Sequence, residues 1–249
     1  MRFMLLQTGH TGRARLAGAV ANALLITVLA TACIPESPGT VSSANDADRL
    51  AGVEWSDELG GGSGITALAV APDGALYAAG WTTETLSTGS SAGGRDAFVR
   101  RYSPDGDVIW TRQFGAIGDD NAEDLAIDDD GNVYVAARVN GPVGQIPGSG
   151  GRDGYVAAYD SEGLELWSLQ FGTPEVDWAD SLTIAADGTV FVSGSTTGSF
   201  KGFSNGGSTD NFLAGIGPDG QINSMVQFGS TEGMGATALA SSGGRIYLT

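Results

Sequence analysis

The chain has 249 residues, of which 41% are apolar and 40 are glycine, and its formal net charge is −17. This length suffices for one sizeable β domain or two small ones, and the negative charge excludes nucleic acid as an expected partner because its phosphates would be repelled. With one histidine, His10, and one cysteine, Cys33, the residues beyond position 33 have no means for Ser–His or Cys–His catalysis, histidine or cysteine metal ligation, or disulfides.

The first predicted segment, residues 1–33, has the composition of a signal peptide. Three arginines give it a positive start, and residues 16–29 are mostly apolar. The segment ends in Ala30-Thr-Ala-Cys33, which resembles a bacterial lipobox, although the usual leucine lies four residues before the cysteine and not three. We therefore expect a targeting segment that is removed from the mature chain.

The lipobox resemblance implies that Cys33 is acylated and that the protein is exported and held on a membrane through this lipid anchor. Ile34 follows the cysteine where an aspartate would retain an enterobacterial lipoprotein at the inner membrane, so we expect the outer membrane. Ordinary signal-peptide cleavage after Ala32 is the alternative. Residues 34–52 are polar and carry two prolines, which predicts a flexible tether.

A repeat of 57 residues dominates the rest of the sequence, residues 53–249. The motif Trp-x-x-Gln-Phe-Gly ends at Gly115 and Gly172, and a variant without the tryptophan ends at Gly229. Asp-Gly pairs recur with the same step, as do aromatic residues at Tyr77, Tyr134 and, as phenylalanine, at position 191. We place the repeats at about 53–115, 116–172 and 173–229, with a partial copy at 230–249.

Each repeat is predicted to form four short antiparallel strands. In the second repeat we expect strands at 124–128, 132–137, 154–160 and 164–170, because apolar runs there are separated by Gly-containing turns. Four strands joined by hairpins are typical of one blade of a β-propeller. No segment of the domain has the 3.6-residue period of a helical solenoid. The fold class is therefore all-β, with three full blades and a partial fourth.

The combined motif resembles the SBBP repeat, a family named for seven-bladed β-propellers. The resemblance rests on Trp-x-x-Gln-Phe-Gly, Gly-Asn-Val-Tyr-Val at 131–135 and Gly-Gly-Arg-Asp-Ala-Phe-Val at 93–99, and it extends over residues 55–249. Seven blades of this length need more residues than the chain has. Either the chain is a piece of a larger propeller, or the strand at Trp55 pairs with the last two strands to close a four-bladed ring.

Acidic residues give a candidate site for a divalent cation such as Ca²⁺, the one cofactor that we consider. Hard oxygen ligands around tight turns suit this ion. A structural turn or a solvated rim is the alternative for each group, and no other cofactor is expected. The candidates lie in one Asp-Gly turn and before two of the first strands: Asp128 and Asp130; Asp119 and Asp120; Asp177 and Asp180.

Other polar and aromatic positions separate into repeated and unrepeated ones. Asp96, Asp153 and Asp210 recur in every Gly-Gly motif, and we expect each to accept backbone N–H groups and fix the loop before the third strand. The repeated tryptophans and phenylalanines are expected to fill the space between blades. Trp81 and Trp178 break the pattern and are the candidate ligand-facing aromatics.

We expect a non-catalytic binding or scaffolding module of the cell surface, with a protein or a polysaccharide as partner. Its function would depend on loops that differ between blades, at 82–92, 138–150 and 196–205. The alternative is a divalent-cation-dependent hydrolase or lyase that uses acidic loops at the mouth of the channel.

Overall fold

A computed structural model describes residues 2–7, 24–27, 53–59, 62–86, 91–231 and 238–249. The chain divides into two compact units, Met1–Gly62 and Ser63–Thr249. All regular structure in the described residues is β-strand. Within those ranges no helix has the length and apolar character needed to cross a membrane.

The N-terminal unit contains one antiparallel sheet with the strand order β2–β1–β3. Its strands are β1 (Arg2–Gln7), β2 (Leu24–Thr27) and β3 (Val53–Glu58), and the last contains Trp55. The first two strands fall within the predicted signal peptide. Cys33 and the whole predicted tether, residues 34–52, lie outside the described residues, so acylation and export stay predictions.

The second unit consists of successive four-stranded antiparallel sheets, each with its strands in chain order. This arrangement confirms the predicted propeller blades. The first blade contains β4 (Ser63–Val70), β5 (Leu76–Thr82), β6 (Asp96–Tyr102) and β7 (Val108–Phe114). The second contains β8 (Asn121–Ile127), β9 (Val133–Val139), β10 (Asp153–Tyr159) and β11 (Glu165–Phe171). The third contains β12 (Asp177–Ile184), β13 (Val190–Thr196), β14 (Asp210–Ile216) and β15 (Ile222–Phe228).

The repeat landmarks occupy matching places in the three blades. Tyr77, Tyr134 and Phe191 each lie on the second strand, and each pairs with a residue of the first strand and a residue of the third. Equal steps along the chain therefore correspond to equal structural units. The Asp-Gly turns between first and second strands have glycines with positive φ, such as 84° at Gly131, a conformation that side chains disfavour.

Aromatic side chains pack between neighbouring blades, as predicted. Trp110 on β7 lies 5.7 Å from Tyr77 in an edge arrangement and 6.1 Å from Tyr159 of the next blade. Its indole N–H donates to the Ser161 carbonyl at 2.9 Å, which satisfies its polar atom. Two buried apolar clusters follow, one between blades 1 and 2 and one between blades 2 and 3.

The partial fourth blade is a two-stranded sheet of β16 (Leu239–Ser242) and β17 (Arg245–Leu248). Its first strand lies beside β12 of the third blade, where the Ser241 hydroxyl donates to the Ile184 carbonyl at 2.7 Å. Within its own unit, β3 pairs with β1, and closure of a four-bladed ring stays a prediction.

Candidate functional site

An identical hydrogen-bonded frame holds one end of every blade. In the second blade, Gln170 of the Trp-x-x-Gln-Phe-Gly motif donates to Asp153 at 2.7 Å and to the Gly141 carbonyl at 2.9 Å, and it accepts the Val143 N–H at 3.1 Å. The equivalent bonds recur at Gln113 with Asp96 and at Gln227 with Asp210. The frame ties the outermost strand to the third strand and to the loop between the second and third strands.

Backbone N–H groups complete the frame around the repeated aspartates. Asp153 accepts the Ser149 N–H at 2.8 Å, and Asp96 and Asp210 each accept from the residue four positions earlier in the same way. This confirms the predicted role of these residues in fixing the loop. The final glycine of the motif is required as well, because a methyl group on Gly172 would collide with Asp153 and lie 2.8 Å from Asp177.

Two of the predicted cation ligands belong to the connection between successive blades. Asp120, 1% exposed, accepts the Ala116 N–H at 2.7 Å and the Asn140 N–H at 2.6 Å. Asp177 lies one repeat later and is fully buried, and it accepts the Thr173 N–H at 2.6 Å. Both carboxylates hold the turn that leads into the next blade.

A β-bulge interrupts the first strand of each full blade at the same position. The register shifts at residues 66, 123 and 180, which are spaced by 57. A bulge leaves one residue out of the ladder and redirects its side chain, and it is common beside functional sites. The bulge itself is part of the repeat, but its residue differs: Thr66, Glu123 and Asp180.

One arginine joins the two acidic bulge residues across the junction of blades 2 and 3. Arg138 on β9 donates from Nε and Nη2 to Oδ1 of Asp180 at 3.0 and 2.6 Å, and its Nε lies 3.2 Å from Oε1 of Glu123. The arginine side chain is 35% exposed and both carboxylates are 16% exposed, so solvent reaches all three groups. We call Glu123, Arg138 and Asp180 the bulge cluster.

Burial governs the titration of the acidic groups around this cluster. Desolvation raises the pKa of Glu123 and of Asp180, although the positive charge of Arg138 acts in the opposite direction on both. Desolvation also raises the pKa of Asp124, which accepts the Ser181 hydroxyl at 2.8 Å and the Leu182 N–H at 2.9 Å from the next blade. The first strands of blades 2 and 3 are therefore linked through carboxyl groups whose pKa is raised.

Unrepeated residues concentrate at this end of the blades, beside the bulges. The cross-strand pairs Gly64–Trp81, Asn121–Arg138 and Trp178–Ser195 occupy one repeat position, and their composition differs in each blade. Trp81 and Trp178 were identified from the sequence, but Arg138 was not. Arg138 could have been found in the same way, because it also differs from the residues at the matching positions of the other repeats. Both tryptophans are half-buried.

Trp81 and Asp119 meet through Arg95. The Arg95 guanidinium lies 4.8 Å from the Trp81 ring and donates to Asp119 Oδ2 at 3.1 Å. The hydrogen bond from the Arg95 backbone N–H lowers the pKa of Asp119, and the bond from its side chain adds to this effect. An arginine thus holds Asp119, which was predicted as a cation ligand.

The remaining predicted ligands lie at the opposite end of the blades. Asp128 accepts hydrogen bonds from the Asn132 backbone N–H and side chain, both at 2.8 Å, and from the Tyr134 hydroxyl at 3.0 Å. Asp130 is exposed in the same turn. This turn and the matching turns of blades 3 and 4 line a cleft of about 800 Å³ with a partly apolar floor.

The structure distributes the six predicted ligands and does not gather them. Over the described residues, no three of the histidine, cysteine, aspartate and glutamate side chains are arranged to hold a metal ion. The predicted loops at 138–150 and 196–205 and the described parts of the loop at 82–92, residues 82–86 and 91–92, lie between the second and third strands, at the end that carries the bulge cluster. This end, with its varied residues, is the candidate binding site.

Comparison with known proteins identifies the repeat. Residues 109–142, from β7 to the loop after β9, match the family SBBP, described as a beta-propeller repeat. This segment of the chain is similar to the SBBP repeat. This agrees with the resemblance found in the sequence and with the four-stranded blades.

A curated relative matches about half of the chain. It is "Regulatory protein FlaEY" of Caulobacter vibrioides, 33% identical over 138 residues, which are 49% of this chain and 14% of that protein. Solved structures with similarity to the chain include a protein of unknown function from Bacteroides caccae, with 13% identity and a TM-score of 0.49 over 99% of this chain and 64% of that one. Another is catalytically inactive virginiamycin B lyase from Staphylococcus aureus with quinupristin, with 12% identity and a TM-score of 0.44 over 78% and 51% of the two chains. The chain thus spans only part of each relative.

Proposed function

We propose that the protein is a non-catalytic binding module of the cell surface that takes a neutral polysaccharide at the end of the blades carrying the bulge cluster. The observation that carries this proposal is the contrast at one repeat position, where the bulge is kept and its residue changes between Thr66, Glu123 and Asp180. A rigid frame with varied side chains at one end is how repeat folds present binding sites.

The chemistry of this end favours a polysaccharide. Sugar hydroxyl groups accept from a guanidinium and donate to carboxylates, and the bulge cluster offers both within one solvent-reached group. Trp178 is half-buried at the neighbouring varied position and contributes an aromatic ring, whereas the Arg95 guanidinium lies over the ring of Trp81. A neutral chain suits this protein better than an acidic one, since the net charge is −17.

The module is proposed to be non-catalytic because both carboxylates of the bulge cluster bind Arg138. A carboxylate pair that hydrolyses glycosides needs one free acid and one free base. No cofactor is part of the proposal, and Ca²⁺ at Asp128 and Asp130 remains the alternative. A melting temperature that rises on addition of Ca²⁺, and does not rise in Asp130→Asn, would establish that alternative.

Binding of purified neutral cell-envelope polysaccharides to the mature protein tests the proposal. Calorimetric titration is expected to give saturable binding that weakens at least tenfold in Trp178→Ala and in Arg138→Met. Asp187→Asn, an exposed change in a turn at the opposite end, is the matched control and should bind as the wild type does. Equal binding by all four proteins would refute the site, and turnover of the bound chains would refute the non-catalytic role. Binding to a surface protein and to no polysaccharide would favour the other partner class.

The proposed location has its own test. We propose that the protein is anchored to the outer membrane through acylated Cys33 and has no nucleic-acid partner. Mass spectrometry of the mature N-terminus is expected to find a lipid on Cys33. An unmodified N-terminus after Ala32, or at another residue, would contradict the anchor.

A further inference from the structure

Two buried carboxyl groups approach each other at the junction of blades 2 and 3. Asp153 on β10 and Asp177 on β12 are both fully buried. Their carboxylates converge above Gly172, where an added methyl group would touch Oδ1 of one and Oδ2 of the other. Burial of two negative charges side by side is unfavourable unless a proton or a cation compensates one of them.

The matching junction between blades 1 and 2 provides a comparison. There Asp96 and Asp120 converge above Gly115 in the same way, and donors reach every carboxylate oxygen. The Ala92 N–H lies 3.2 Å from both oxygens of Asp96, and the N–H groups of Ala116 and Asn140 each reach one oxygen of Asp120.

Two of those donors are missing one repeat later. The Ser149 N–H reaches only Oδ2 of Asp153, so Oδ1 is buried and has no donor among the described residues. The Thr197 N–H, which is equivalent to that of Asn140, donates to the Val176 carbonyl at 2.9 Å and not to Asp177. Oδ1 of Asp177 is thus also buried without a donor among the described residues, although the nearby Thr196 hydroxyl acts to lower the pKa of this carboxyl. Oδ2 of Asp177 is the group beside Oδ1 of Asp153 above Gly172, so a proton between these two oxygens would give Oδ1 of Asp153 a hydrogen bond.

We propose that the junction of blades 2 and 3 binds one proton, which Asp153 and Asp177 share as a carboxyl–carboxylate hydrogen bond. The proton gives Oδ1 of Asp153 its missing donor and reduces the buried charge of the pair from two to one. No bond other than O–H is made or broken, and the proton is exchanged with water. The junction is then tight while the proton is bound and is weakened when it leaves.

The surrounding charges agree with this assignment. Burial raises the pKa of Asp177, and the negative charge of Asp153 raises it further. The other charged residues on the adjacent segments are Asp180 on β12, Arg138 on β9, Glu165 on β11, and Arg152 and Glu175 in the flanking loops, while β13 and the loop at 140–150 carry none. Since the pKa is raised in the folded state, the stabilisation is complete below the ordinary aspartate pKa and is lost as the pH rises through the raised value.

The variant Asp153→Asn tests the shared proton because it replaces the O–H by an amide N–H of similar shape. Its amide oxygen, in the place of Oδ2, can still accept from Gln170 and the Ser149 N–H, and its NH₂ group, in the place of Oδ1, can donate to Oδ2 of Asp177. Urea unfolding between pH 4.5 and pH 8.5 is expected to give a wild-type unfolding constant that rises, relative to that of the variant, by up to about tenfold per pH unit between the ordinary aspartate pKa and the raised pKa, and that levels off above the raised value. At pH 8.5 the variant should be the more stable protein.

Asp187→Asn is the matched control, since this aspartate is exposed in a turn, and its pH profile should parallel that of the wild type. An Asp153→Asn profile that also parallels the wild type would overturn the proposal. So would a wild-type melting temperature at pH 8.5 that rises with added Ca²⁺ or Na⁺ while that of Asp153→Asn does not, because a cation would then occupy the junction. Carboxyl ¹³C NMR of the wild-type protein gives an answer even if the variant fails to fold. One of the two aspartates must titrate above its ordinary pKa, and two ordinary titrations would refute the shared proton.

Discussion

The hydrogen-bonded frame and the bulge cluster lie at the same end of the blades, but the residues of the frame recur in each full blade and those of the bulge cluster do not. Gln113, Gln170 and Gln227 make the same bonds in all three blades. The bulge position keeps its backbone irregularity and changes its side chain each time. A residue that recurs in every full blade stabilises the blade. A position whose backbone recurs while its side chain changes is suited to a role, such as ligand binding, that is specific to one blade.

The largest expected effect is on the frame. Gly172→Ala places a methyl group against Asp153 and Asp177 in a junction without free space, and overpacking of this kind costs about 3 kcal/mol. Chemical denaturation measures the loss. Gly206→Ala is the control because a methyl group there meets nothing closer than 3.6 Å. Equal losses in the two variants would show that Gly172 is not held by the two carboxylates.

A second change tests the frame through its hydrogen bonds. Gln170→Ala leaves the Val143 N–H, the Gly141 carbonyl and one oxygen of Asp153 without this partner in a buried place, which costs about 2 kcal/mol. Gln221→Ala removes an exposed glutamine and should change the unfolding free energy little. If the two variants unfold at the same urea concentration, the frame does not stabilise the blade.

The bulge cluster should respond more weakly and with a dependence on pH. Arg138→Met removes the shared partner of Glu123 and Asp180, and because solvent reaches these groups we expect a loss of about 1 kcal/mol. Because burial raises the pKa of both carboxyl groups and protonation removes their charge, the loss should shrink as the pH is lowered from 8. Arg95→Met breaks a more exposed ion pair and is the comparison. A loss that is independent of pH would contradict the ionic role of Arg138.

The smallest effect is expected from Glu123→Gln, measured as unfolding free energy against pH. Burial raises the pKa of Glu123, so its contribution to stability is present below the ordinary glutamate pKa and is lost as the pH rises through the raised value. The glutamine variant should lack this part of the decline and match the wild type at low pH. A variant that is less stable only at high pH would reverse the sign and indicate that the ion pair outweighs desolvation.

The repeated half of this comparison could be predicted from the sequence. The 57-residue repeat predicts the positions of the blades and of the aromatic residues between them. It also predicts that Asp153 fixes the loop before the third strand, as the structure shows. The predicted first strand of blade 2 began at 124, whereas β8 begins at Asn121, because the bulge at Glu123 breaks the two-residue alternation that marks a strand. The sequence pattern therefore predicts a loop at residues 121–123, where the structure has a bulged strand.

The candidate site could be predicted only in part. Trp81 and Trp178 were found because they interrupt the repeat, but the pairing of Arg138 with Asp180 joins residues 42 apart on different blades, which no local pattern reports. The clustering of acidic residues along the sequence was also insufficient to predict a cation site. Asp120 and Asp128 are near in sequence, but β8 runs between them and places them at opposite ends of the blade.

The anchoring of each loop by a glutamine has a practical consequence. In every full blade the glutamine accepts an N–H from the residue 27 positions earlier and donates to the carbonyl 29 positions earlier. The three loops are thus joined to their blades by the same hydrogen bonds, whatever their composition. We therefore expect that a loop from one blade can be grafted onto another, and that a new recognition surface can be engineered without redesign of the sheets.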